Sequence, residues 1–331
     1  MAITAAATRP LAGLAPSRLA QAQRGRQQTA RRMFIFGDGG LGKTTLAAGA
    51  PRPIWIDINQ GSLGFDVARY TFDEVGRTKP DTFEEVLAAL GDIARNGKDF
   101  GAVVIDVLSD LEQLIFVEVV KADKKAASIA EVGGGYDKGY VAAVDYWRRV
   151  LNLCEDCWRA GLHVVFLDHS DVKKEKNAGG ADYGRGMPKI HPLASKLIHT
   201  WSDYTLFLEI EKTLVPDNPD QRKAKKEYAI SDGKRLLHAR PAAEYMAKSR
   251  PELADPIELP NSGGWQLIDR EIAAAQARRV EELRASIEAR LAGLGDKDQQ
   301  AVAGMLERAG EDDSKLEQLD NWCAGRPARK E

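Results

Sequence analysis

The sequence predicts an α/β fold: a mostly parallel sheet flanked by helices, with antiparallel strands at one end and a small helical C-terminal appendage. Short apolar runs at 33–36, 53–58, 102–105 and 162–167 alternate with helical stretches at about 82–95 and 137–160. Alternating strand and helix means a parallel sheet covered on both faces. The first run feeds a glycine-rich loop that opens onto a helical segment. The third observation is size: 331 residues, 44% hydrophobic and 29% charged, suit one large core plus an accessory piece.

No apolar run reaches the ~18 residues a membrane span needs, so the chain is expected to act without a membrane, in a cytoplasmic setting. Three cysteines exclude a disulfide scaffold and suit a reducing compartment. The net charge of −2 hides an asymmetry, because residues 1–37 carry +6 and the rest −8. Arg9, Arg18, Arg24, Arg26, Arg31 and Arg32 all precede Asp38, the first acidic residue. Residues 1–31 therefore read as a flexible Arg-rich arm. The same composition fits a mitochondrial transit peptide or an arm that contacts DNA or a neighbouring subunit.

The core begins at Arg32. Met33-Phe34-Ile35-Phe36 leads into Gly37-Asp38-Gly39-Gly40-Leu41-Gly42-Lys43-Thr44-Thr45, and Leu46-Ala47-Ala48 leads out. The pattern G-x-x-x-x-G-K-T between strand and helix is the phosphate-binding loop. Its glycines let the backbone curl so that N–H groups converge on phosphate oxygens. The helix N-terminus adds positive potential. Lys43 reaches the β- and γ-phosphates, and the Thr44 hydroxyl binds Mg²⁺. Gly37, Asp38, Gly39, Gly40, Leu41, Gly42, Lys43, Thr44 and Thr45 are the expected ATP-binding residues.

Such a site needs an acidic residue for the magnesium at the end of a buried strand. Ala102-Val103-Val104-Ile105-Asp106 fits, making Asp106 the Walker B candidate. A strand at Pro53–Asn59 contains Asp57, and another at Leu162–Asp168 leads to His169. Later come Asp203–Glu209, Ala247–Leu253 and Ile257–Pro260.

In this order of segments, residues 32–268 resemble the RecA-like P-loop ATPases of bacteriophages and prophages, known as AAA-family ATPases or phage nucleotide-binding proteins. Some of these act as recombinases or single-strand annealing proteins. The resemblance implies that His169 senses the γ-phosphate. It also implies that the segment after His169 is a mobile DNA-binding loop. That loop, Ser170 to Gly186, is long, Gly-rich and basic. Lys173, Lys174, Lys176 and Arg185 would meet phosphates, and Tyr183 would stack on a base. A second loop, Lys121 to Tyr140, holds Lys124, Lys125, Gly133–Gly135 and Tyr136 on the same sheet edge. Lys248 and Arg250 would reach a neighbouring subunit's phosphates in a ring or filament.

One position departs from the resemblance. The glutamate that polarises water in RecA-like recombinases is replaced by Asn59, which can orient water but cannot take its proton. Asp57, Asp110 and Glu74 remain as substitutes. Asp106 is followed by Val107, so the Asp-Glu pair of AAA+ enzymes is missing too. Weak hydrolysis, unless stimulated, is the expectation.

Residues 203–240 read as paired strands with turns at 216–222 and at Asp232-Gly233, and Arg222, Lys223, Lys225 and Lys226 fall at a hairpin tip. Cys154 and Cys157 lie on a helix without the further ligands that structural zinc requires, and read as core residues. Residues 269–331 read as helices at 271–294, 297–309 and 314–323. The function expected is an ATP- and Mg²⁺-dependent, oligomeric ATPase that binds single-stranded DNA in phage recombination, annealing or replication. The alternative is a nucleotide-gated adaptor or loader that binds a replication or single-strand-binding protein and turns over little ATP.

Overall fold

The structure is a computed structural model and describes residues 30–175, 183–216 and 227–326. These divide into two compact units, with the division after Arg278. The arm at 1–29, Lys176, and the hairpin tip with Arg222, Lys223, Lys225 and Lys226 lie outside the described residues.

The first unit is built on one sheet. Its strands are β1 (Arg32–Gly37), β2 (Pro53–Asp57), β3 (Ala68–Arg69), β4 (Ala102–Asp106), β5 (His163–Glu175), β6 (Tyr183–Pro188), β7 (Tyr204–Ile210), β10 (Arg235–His238) and β11 (Ile257–Leu259). Strands β8 (Thr213–Pro216) and β9 (Glu227–Ile230) form a separate two-stranded ribbon. The order in the main sheet is β11-β10-β7-β1-β5-β4-β2-β3, and β6 pairs with β5 alone. From β7 to β3 every neighbour is parallel, while β10 and β11 are antiparallel additions at one end.

Strand alternation sorts the core into two layers. Phe34, Phe36, Ile54, Ile56, Val103, Ile105, Val164 and Phe166 face one side. There they pack on α2 (Phe83–Asn96), α3 (Leu108–Ala122), α4 (Lys138–Arg159) and α5 (Pro192–Trp201). Met33, Ile35, Trp55, Val104, Val165 and Leu167 face the other. They meet α1 (Lys43–Ala48) and the first half of α6 (Gly264–Leu291), through Trp265, Ile268, Ile272 and Ala275. Full burial of each such side chain is worth roughly 1.5–3 kcal/mol. This sandwich therefore fixes the height of the strand ends. Cys154 and Cys157 are buried in the first layer, and burial pushes both thiols up. Among the described residues no group of three or more His, Cys, Asp or Glu side chains is placed to hold a metal ion.

Arg32 pins the start of β1. Its guanidinium lies over the rings of Trp158 and Trp201, at 5.0 and 5.2 Å, and pairs with Asp203 at 2.8 Å and Glu155 at 3.3 Å.

The structure differs from expectation beyond His169. Residues 170–175 do not leave the sheet as a loop. They extend β5 and pair antiparallel with β6 from Ser170–Pro188 to Glu175–Tyr183. Backbone pairing satisfies the polar groups that a loop would leave to water, so β5 and β6 form an antiparallel pair beyond His169, and residues 176–182 lie outside the described residues. The second unit is helical. It contains the end of α6 and α7 (Asp296–Ala309) and α8 (Asp313–Ala324), packed through Leu283, Ile287, Leu294, Val302, Leu316 and Leu319. No helix among the described residues is long and apolar enough to cross a membrane.

Candidate nucleotide-binding site

Sheet register gathers the predicted residues. Gly37 lies opposite His169 across β1 and β5, and Asp57 lies opposite Asp106 across β2 and β4. Gly37, Asp57 and Asp106 end their strands and His169 ends the parallel stretch of β5, all on the edge where open α/β sheets bind ligands.

The loop from Gly37 to Thr44 curls as the motif requires. Gly40 and Gly42 hold φ of 78° and 88°, the left-handed region that glycine adopts freely. Lys43 is buried, and its ammonium donates to the carbonyls of Gly37 and Asp38, each at 2.8 Å. Burial lowers its pKa, opposed by Asp106, Asp168 and Asp38. The lysine is thus folded back across its own loop, at the place where a phosphate oxygen would compete for it. The Asp38 carboxylate accepts from Ser170 on β5, tying the loop to the hairpin strand.

Thr44 and Asp106 form the second half. The Thr44 hydroxyl donates to Asp106 Oδ2 at 3.2 Å. Burial, then the neighbouring Asp57, pushes the Asp106 carboxyl up to about 6. The Asp106–Val107 peptide is cis. Asp57 is fully buried; its Oδ2 accepts from the Ser62 N–H and hydroxyl at 3.0 and 2.5 Å, and its Oδ1 has no partner among the described residues. A buried carboxylate oxygen without a donor is costly unless something electropositive faces it. A hydroxyl, one buried carboxylate in its first layer and a second behind it fit Mg²⁺. That ion usually takes one or two carboxylates plus phosphate oxygens and water. When bound, Mg²⁺ and ATP would supply the electrophilic phosphoryl group and neutralise its charge.

Asn59 sits in the site: a side-chain carbon added at Gly61 would come 2.9 Å from Asn59 Oδ1 and 3.4 Å from Asp106 Oδ2. Its Oδ1 accepts from the Gly61 N–H at 2.9 Å, so the carbonyl of the amide is held by its own turn. His169 is half-buried and its pKa is lowered, first by burial and then by Lys43 and Lys189, which leaves it neutral near pH 7. A neutral imidazole can donate one hydrogen bond to a phosphate oxygen.

The expected DNA-contacting residues fare unequally. Lys173 turns inward and donates to the carbonyls of Pro188 and Ile190, at 3.4 and 3.2 Å, because the β6 turn presents carbonyls beneath it. Arg185 is held to the Tyr245 carbonyl at 3.3 Å. Lys174 and Tyr183 are placed by backbone only, on the hairpin, and Lys176 lies outside the described residues. Lys248 donates to the carbonyls of His199, Thr200 and Ser202 and so caps α5 within its own chain. The second loop keeps Tyr136 93% exposed beside Gly133–Gly135. Tyr140, just beyond, stacks on His191 with ring centroids 4.4 Å apart, near the base of the hairpin.

Three residues went unnoticed in the sequence. Asp168 ends an apolar run as Asp106 does, and that pattern was the available signal. It is fully buried and accepts from the N–H of Ser109 at 3.0 Å and of Ile190 at 3.2 Å. It thereby links the start of α3 to the foot of the hairpin. Glu112, pushed up to about 7 chiefly by burial, receives the His191 N–H on both carboxylate oxygens, each at 3.0 Å. Arg235 reaches the loop from β10, with Nη1 at 3.3 Å from the Leu41 carbonyl; no local pattern marks it.

A phosphate loop with its lysine, a threonine on a strand-end aspartate, and a polar residue on the strand between them are the parts from which a P-loop nucleoside triphosphatase site is built. A family model described as "AAA domain" (AAA_24) matches residues 29–251, and the chain belongs to that family of P-loop ATPases. No curated protein matches the chain. Among solved structures, a KaiC-like protein from the hyperthermophilic archaeon Pyrococcus horikoshii OT3 is similar over 70% of this chain and 91% of its own, at 11% identity and a TM-score of 0.32.

Proposed function

We propose that the chain is an oligomeric ATPase that binds Mg²⁺-ATP at Lys43, Thr44 and Asp106 and couples it to single-stranded DNA, in recombination, annealing or replication of the phage type. The observation that carries the reading is the continuity of β5. The strand that ends the phosphate site at His169 is the same strand that projects as the hairpin. A γ-phosphate contact at His169, and the Asp38–Ser170 hydrogen bond, would act on the root of that hairpin directly. Asp168 ties the same root to α3 behind the Walker B strand. Exposed Lys189 at the hairpin foot and exposed Tyr136 on the second loop supply a cation and a stacking surface on that edge.

The test is binding of a labelled single-stranded oligonucleotide with ATP, ADP or no nucleotide, over a salt series. Binding that tightens with ATP and weakens linearly in log salt supports the reading. Nucleotide-independent or absent binding contradicts the DNA part.

A second reading rests on Asn59. With the Asn59 Oδ1 held by its own turn and no glutamate at that position, Asp57 is the remaining buried carboxylate beside Asp106. Slow turnover suits a nucleotide-gated adaptor or loader for a replication protein. A protein partner exchanged between ATP and ADP states, with DNA without effect, favours that reading over the first.

A further inference from the structure

The sheet order divides the phosphate loop's surroundings into two flanks. On one side of β1 lie β5, β4 and β2, which bring His169, Asp106 and Asp57. On the other lie β7, β10 and β11. Thr44 faces the first flank through its bond to Asp106. The next residue, Thr45, is turned about 100° around the helix and lines a hollow on the second flank. That hollow is bounded by Gly42, Thr45, Leu46, Arg235, Asn261 and Trp265. The γ-phosphate end of a nucleotide belongs with Asp106 and His169, so its other end must leave over the second flank.

Arg235 is built for that exit. It makes no ion pair among the described residues; its hydrogen bonds go to the carbonyls of Leu41 and Pro260 and to Asn261 Oδ1 at 3.4 Å. A guanidinium without a carboxylate, set against a phosphate loop, is an uncompensated charge that an anion would satisfy. Gly42 makes the approach possible. A side-chain carbon there would lie 2.5 Å from Arg235 Nη1. Trp265, which is buried, also lines the hollow. The loop at 260–264 is otherwise exposed, with Gly263 at φ 72°.

We infer that Arg235, with Asn261 and the 260–264 loop, forms the seat for the nucleoside end of the nucleotide, Arg235 holding the phosphate next to the sugar and Asn261 meeting the sugar or base. The inference rests on the ATP-binding reading above and adds residues from the opposite end of the sheet to it. It also predicts a signature. Arg235 contacts what ATP and ADP share, whereas His169 contacts only what ATP has.

Calorimetric binding of ATP, ADP and tripolyphosphate to the full chain with Mg²⁺ tests this, using wild type, Arg235→Ala, Arg235→Lys, Asn261→Ala and His169→Ala. Arg235→Ala should weaken ATP and ADP by the same factor, roughly tenfold to a hundredfold, with partial recovery in Arg235→Lys. His169→Ala should weaken ATP more than ADP. Asn261 is exposed and its replacement should not disturb folding. Its loss should weaken ADP about twofold to tenfold and leave tripolyphosphate, which has no sugar or base, unchanged. ADP affinity unaltered in Arg235→Ala, or tripolyphosphate lost in step with ADP in Asn261→Ala, would overturn the inference while leaving the phosphate site intact. Wild type that binds none of the three ligands would remove the underlying reading as well.

Discussion

Lys43 commits two of its three donors to its own loop, holding the carbonyls of Gly37 and Asp38. Replacing it leaves those carbonyls to water and removes a charge-assisted contact worth about 1.5–3 kcal/mol. Lys43→Ala should therefore bind ATP roughly tenfold to a hundredfold more weakly, read by calorimetry, with its melting temperature little changed. Asp106 makes the site sensitive to acid. Its carboxyl is raised from the ordinary 3.8 to about 6. A raised carboxyl disfavours the folded state as pH climbs from about 4 to 6, since the unfolded chain releases that proton first. A bound Mg²⁺ needs the ionised form, so Mg²⁺-dependent ATP affinity should fall as pH drops below about 6. Asp106→Asn should abolish that pH dependence together with the Mg²⁺ requirement. A titration in which wild type and variant behave alike would contradict the assignment of the metal site.

Elements act here through their ends. Strand β1 carries the phosphate loop at its carboxyl end and is anchored at its amino end by Arg32 between Trp158, Trp201, Asp203 and Glu155. Arg32→Ala removes both ring contacts and both ion pairs of a partly buried group, and should cost about 1–3 kcal/mol, seen as a lower denaturation midpoint with unchanged slope. The phosphate loop and Asp106 were legible in the sequence because each is one contiguous stretch whose neighbours are set by local backbone. The hairpin was misjudged as a loop because its glycines and lysines look like coil. What decides the outcome is pairing with β6, a partner from a separate stretch of sequence. The partners of Asp168 and Arg235 were illegible for a related reason, although the apolar run ending in Asp168 was itself a signal. Those partners come from 59, 22 and 194 residues away, at Ser109, Ile190 and Leu41, and only sheet order brings them together. Lys173 shows the converse: a lysine in a basic run reads as a free cation, yet carbonyls of Pro188 and Ile190 hold it inside the stem.

At the scale of the molecule, the sheet works as a ruler laid under a nucleotide. On the proposed reading, strands β5, β4 and β2 bring the groups that would distinguish ATP from ADP, and β10 and the loop after β11 bring groups that would not. The hairpin rises from the first set, so a change at the γ-phosphate has a direct mechanical neighbour in the segment proposed to meet DNA. The net charge of −2 does not oppose this, because cations such as Lys189 sit locally at that edge. The central claim is that nucleotide turnover and single-stranded DNA are coupled through this edge. The most direct measurement is steady-state ATP hydrolysis with and without a single-stranded oligonucleotide, for wild type and Lys43→Ala. The account predicts slow basal turnover, clear stimulation by DNA, and loss of both in Lys43→Ala. Turnover that DNA leaves unchanged, or that survives in Lys43→Ala, would contradict it.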